Sequence, residues 1–94
     1  MENESSPSVR GPGAEARLRW QIALELVGAR VKLERERKQW SARELARRTG
    51  LSQPVISRLE SATGEAKLTS VLLVAEALGI SPSVLIDDLP GHPQ

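Results

Sequence analysis

From Ala14 to about Lys38 the chain has no proline, and apolar side chains recur at 20, 23, 24, 27 and 31, the spacing that lines one face of a helix. A second apolar stripe, at 18, 22, 26, 29 and 33, runs along the same segment. The pattern predicts one long helix that is apolar on two sides. A new helix begins at Ser41, where Ser41 and Glu44 form an S-x-x-E capping box and Trp40 and Leu45 a hydrophobic staple. It runs to Thr49, and Gly50 supplies the left-handed residue that ends it. Ser52 caps a third helix over 53–61, with Pro54 in the first turn, where a missing N–H forfeits no helical bond. Leu51 and Ile56 repeat the staple. The segment SATGEAK (61–67) reads as a loop. Apolar positions 68, 71, 72, 75 and 78 then give a fourth helix that stops at Gly79, and Ser81 and Pro82 open a short last one through about Asp87. There is no internal repeat and no strand-like alternation. The fold class is therefore all-α, with five helices in one domain spanning 14–88. Residues 1–13, with two Pro, two Gly and no apolar periodicity, and residues 89–94 are expected to be disordered tails.

Composition narrows the chemistry. With 94 residues and 39% apolar content the chain supports a single core. The absence of cysteine excludes a disulfide framework and thiolate zinc sites. The one histidine, His92, lies in a Gly/Pro tail, and no carboxylates stand at ligand spacing, so neither a metal, a cofactor nor an enzymatic site is expected. No small-molecule ligand is evident. No apolar run approaches the roughly 20 residues that span a bilayer, and the opening MENESSPS is not a secretion signal. A basic helix lying on a membrane surface is disfavoured by Glu15, Glu25, Glu34 and Glu36. A cytoplasmic location is expected.

The net charge of +1 conceals an uneven distribution. Residues 30–60 carry nine Lys or Arg against four Glu, a balance of +5, whereas residues 61–94 sum to −3 and residues 1–29 to −1. The excess coincides with the helix break at Gly50. Two short helices joined by a tight glycine-containing turn have the geometry of a helix-turn-helix. On a helical wheel of 53–61, Ile56 and Leu59 share one side, flanked by Val55 and Glu60, while Pro54, Ser57, Arg58 and Ser61 lie opposite, with Gln53 at the edge. That outer face suits the major groove: Arg grips guanine O6 and N7, Gln pairs with adenine N6 and N7, Ser meets several base edges, and a proline ring meets a thymine methyl.

The stretch 27–86 resembles the phage repressor and Cro type of helix-turn-helix domain, the XRE family. The resemblance is carried by Gly28, Val31 and Arg35, by W-S-x-x-E-L-A at 40–46, by Gly50-Leu51-Ser52, by Ile56-Ser57-Arg58-Leu59-Glu60, and by L-x-x-x-L-x-x-A-x-A-L-G at 68–79, about two thirds of the chain. It implies a five-helix lambda-repressor-like fold with an extended first helix, in a bacterial or phage protein at the nucleoid. The function it implies is a sequence-specific regulator of transcription, a dimeric repressor reading a palindromic operator in double-stranded DNA with helix 53–61. Gln53, Pro54, Ser57 and Arg58 are then the base-reading residues; Arg35, Ser41, Arg43 and Ser61 contact phosphates; and Arg35 pairs with Glu60. Arg37, Lys38, Arg47 and Arg48 steer.

The chain departs from the family pattern in three respects. Ala42 stands where the family often has a DNA-contacting Gln. Ala62 replaces a glycine and the loop after it is one residue shorter, which looks more like the antitoxins of toxin–antitoxin pairs. The third departure is the added helix from Ala14 to Leu26. Leu18, Trp20, Ile22 and Leu26, or Leu73, Val74 and Leu85 near the C-terminus, offer an apolar surface for a homodimer or a partner protein such as a toxin. The alternative function is accordingly a protein-interaction module, an antitoxin or anti-activator, with DNA binding secondary.

Overall fold

The computed structural model describes residues 13–90. Within them lie five helices: α1 (Ala14–Arg37), α2 (Ala42–Thr49), α3 (Gln53–Ser61), α4 (Leu68–Leu78) and α5 (Pro82–Ile86). The tail residues 1–12 and 91–94 lie outside the described residues.

Local chemistry sets the boundaries. Ser41 Oγ accepts the Glu44 N–H and Ser52 Oγ the Val55 N–H, each satisfying a donor that a first turn leaves open. The reciprocal half of the capping box is replaced, because the Glu44 carboxylate turns to Arg47 and Arg48. Gly50 ends α2 at φ 77°, and Gly79 ends α4 at φ 71°. Ala62 ends α3 in the same left-handed region, at φ 57°, where a Cβ is strained. Its methyl is buried and its carbonyl accepts from Gln21 Nε2 of α1, so contacts with α1 and the core hold it there.

The core joins Val27 and Val31 of α1, Leu45 and Ala46 of α2, Ile56 and Leu59 of α3, Val71, Val74, Ala75 and Leu78 of α4, and Leu85 of α5. Val74 and Leu85 are each 0% exposed. This corrects their expected place on a dimer or partner surface. Helix α4 is apolar over most of its circumference, and the side that meets α2 and α5 takes Val74 while Leu72 and Leu73 remain outside. Leu89, expected in the frayed tail, packs on the core instead, and the preceding turn is held by Arg30, which donates to the carbonyls of Leu85 and Asp87.

The two stripes of α1 meet different fates. Val27 and Val31 are buried and Leu24 is half-buried, whereas Leu18, Ile22, Leu26, Ala29 and Leu33 are exposed. Trp20, on the inner stripe, is 55% exposed because the N-terminal turns of α1 run past the rest of the domain and only the rim of a shallow groove, with Ala66 and Leu89, meets it there.

Candidate nucleic-acid interface

Three residues, Gly50, Leu51 and Ser52, connect α2 to α3. Thr49 stitches this turn: its hydroxyl donates toward the carbonyls of Leu45 and Ala46 at 2.9 and 3.0 Å and accepts the Leu51 N–H at 3.2 Å. Sequence reasoning passed over Thr49, whose position just before the glycine is the only local clue to this role.

Helix α3 is fixed from behind. Ile56 and Leu59 anchor it in the core. Gly28 of α1 lies against its C-terminal turn, so close that a Cβ there would meet the backbone oxygens of Leu59 and Glu60 at 2.5 and 2.6 Å. Arg35 completes the clamp. Its Nε and Nη2 donate to the two oxygens of Glu60 at 2.7 and 2.9 Å, and its Nη1 to the carbonyl of Trp40 at 2.7 Å. This bidentate bond raises the Arg35 pKa further, with burial opposing. With three donors committed and a side chain only 12% exposed, Arg35 is a brace between α1, α3 and the start of α2. The expected pair with Glu60 is formed, and two of the five guanidinium N–H groups remain outside these bonds.

The opposite side of α3 is open: Gln53, Pro54, Ser57, Arg58 and Ser61 are all exposed. Arg58 makes no hydrogen bond or ion pair with any described residue, and neither does Arg43 on α2, which leaves both guanidinium groups available. The Ser61 hydroxyl is less free, since it bonds the Ser57 carbonyl at 2.9 Å and the Thr63 hydroxyl at 2.8 Å. Ser41 is exposed at the N-terminus of α2, its oxygen holding the Glu44 N–H. Ala42, in the position where the family often has Gln, is half-buried and contributes no polar group.

The arginines on α2 are organised rather than loose. Glu44 Oε1 and Oε2 accept from Arg47 and Oε2 also from Arg48 at 2.6 Å. These bonds, Arg47 first and then Arg48, hold the Glu44 carboxyl down at about 2. The Arg48 guanidinium also stacks 4.0 Å from the centre of the Trp40 ring, and the Lys38 ammonium lies 5.4 Å from it. Arg37 pairs with Glu34.

A further feature was not foreseen. No side chain caps the N-terminus of α4, which follows Lys67. A cleft of about 360 Å³ lies beside this first turn, lined among others by Arg58 and Leu59 of α3 and by Lys67, Thr69 and Ser70. Ser70 is only 7% exposed, and its hydroxyl bonds no described residue. The signal was the lack of Ser, Thr, Asp or Asn before Leu68, a gap that sequence reading did not weigh.

Among the described residues no group of His, Cys, Asp and Glu is arranged to hold a metal ion. No described helix is long and apolar enough to cross a membrane.

Comparison with known proteins agrees with this geometry. Residues 31–85 match the helix-turn-helix family. A solved structure described as a hypothetical transcription factor, NHTF from Neisseria, is similar: it is 29% identical, the match covers 78% of this chain and 79% of that one, and the TM-score is 0.66. No curated protein matches.

Proposed function

The chain belongs to the helix-turn-helix family, of the XRE type, and from that premise we propose that it is a DNA-binding transcriptional regulator that lays α3 in the major groove. Gln53, Pro54, Ser57 and Arg58 read base edges in this reading, with Arg58 supplying the strongest preference through a guanine. Arg43, Ser41 and Ser61 hold the flanking phosphates and set the register without carrying sequence information. The uncapped N-terminus of α4, with Lys67 beside it, takes one more phosphate, as open N–H groups at the positive end of a helix dipole do. Two copies, bound about one helical turn apart on a palindromic operator, act as a repressor by occupying it. The supporting observation is the exposed face of α3, whose Arg58 guanidinium has no hydrogen-bond or ion-pair partner among the described residues while Ile56 and Leu59 hold the helix from behind.

The test is a gel shift with selected and scrambled duplexes across a salt series. A specific complex is expected to survive competitor DNA while weakening steeply with added salt, through release of counterions from the neutralised phosphates. Equal competition by every duplex defeats the reading.

A further inference from the structure

The family match begins at residue 31, so most of α1, with its exposed apolar stripe, lies outside it. Leu18 is 62% exposed, Ile22 40%, Leu26 37% and Leu33 47%, and Ala29 is also open. Their spacing of four, four, three and four places them in a narrow arc, the a/d seam of a coiled coil, along roughly 24 Å of helix. Glu15, Glu36 and Arg37 bound the seam at its ends.

We infer that this seam is closed by a second copy of the same chain, α1 against α1 and antiparallel. In that register Ile22 faces Leu33 of the second copy, Leu26 faces Ala29, Leu18 lies against the aliphatic stem of Arg37, and the two-fold axis passes between residues 27 and 28. The flanking charges select the direction. On one flank Glu25 meets Lys32 of the second copy, and the symmetry repeats the pair. On the other flank Ala23 meets Arg30, whose guanidinium is already turned away to the carbonyls of Leu85 and Asp87. A parallel arrangement instead sets Lys32 against Arg37, two like charges, and sets Glu25 against Arg30, whose guanidinium would have to leave those carbonyls to reach it. Glu25 is already oriented by Gln21, whose Nε2 donates to its Oε2 at 3.3 Å. Gly28, which meets α3, lies roughly a third of a turn around the helix from the centre of the seam, so pairing leaves the outer face of α3 uncovered. Two helices of this length bury less than about 1,200 Å² in all, the size class of reversible association.

The inference names the surface for the dimer proposed above and rests on that reading, but its test needs no DNA. Sedimentation equilibrium of the full chain is expected to show a concentration-dependent dimer. Glu25→Lys and Lys32→Glu are each expected to weaken it by roughly tenfold, because two exposed pairs turn repulsive at once. The double variant Glu25→Lys/Lys32→Glu restores it, with helical circular dichroism unchanged in all three. Leu26→Glu abolishes it. A chain that stays monomeric at every concentration, a dimer indifferent to Leu26→Glu, or a double variant as weak as the singles overturns the inference. Binding to a duplex carrying one half-site reads α3 directly, so failure here and failure of the DNA-binding reading give separate signatures.

Discussion

Gly28 and Leu59 are in backbone contact across α1 and α3: a Cβ at Gly28 would stand 2.5 Å from the Leu59 carbonyl oxygen. Neither neighbouring atom is a flexible side-chain end, so the helices themselves must separate to admit a methyl group. Gly28→Ala is expected to cost about 2–3 kcal/mol, the upper part of the overpacking range, although alanine is ordinarily the better helix former. Urea unfolding of the variant checks this. A variant as stable as the parent would mean that α1 and α3 do not cross here.

Arg35 and Glu60 form the second link between the same helices. Removing Glu60 leaves a largely buried guanidinium with the Trp40 carbonyl as its one remaining bonded partner among the described residues. Glu60→Ala is expected to destabilise by about 2 kcal/mol, less than the roughly 3–5 kcal/mol of a pair wholly removed from water. Arg35→Lys should not substitute, since a lysine cannot make the two-pronged bond and reach the Trp40 carbonyl together. A double-mutant cycle showing no coupling between positions 35 and 60 would remove the brace.

Glu44 gives a pH signature. Its carboxyl titrates near 2 in the folded chain instead of the ordinary 4.5, because Arg47 and Arg48 bond its charged form. A folded-state pKa below the unfolded one stabilises the fold fully above about 4.5, and the contribution drains away as pH falls from there toward 2. The melting temperature of Glu44→Gln is therefore expected to lie below that of the parent at neutral pH, with the gap closing through this acid window. A gap that keeps its neutral-pH size down to pH 2 would assign the loss to something other than the carboxylate charge.

Arg58 and Arg43 are expected to separate reading from holding. Arg58→Ala should relax base preference at one operator position by about 1–3 kcal/mol. Arg43→Ala should weaken all duplexes alike and reduce the salt slope by about one unit, as loss of one phosphate contact does. Competition binding with single-base operator variants distinguishes them, and uniform weakening by Arg58→Ala would deny that residue a reading role.

Lys67, at the start of α4, provides an independent check on the uncapped terminus. Lys67→Asp supplies a capping side chain and a negative charge where a phosphate is proposed. It is expected to stabilise the free protein by about 1 kcal/mol while weakening binding to every duplex. Stability and binding that rise together would exclude a phosphate at this end.

Much of the architecture is determined by interactions within a few residues of each other, and these the sequence carries alone. Ser41 and Ser52 reach N–H groups three positions on, Gly50 and Gly79 end helices by backbone freedom at a single residue, and the periodicity of 53–61 separates Ile56 and Leu59 from Ser57 and Arg58. The whole outer face of α3 is legible for that reason. Other features were decided only by packing between distant segments. Helix α4 is apolar on too many sides for a wheel to choose, and contact with α2 and α5 buried Val74 and left Leu73 out. The two stripes of α1 are alike in sequence, and the position of α3 and α5 made one core and the other surface. Arg35 became a brace because Glu60, 25 residues away, folds against it. A periodic pattern reports which sides of a helix are apolar, but which of them is covered depends on where the neighbouring helices lie.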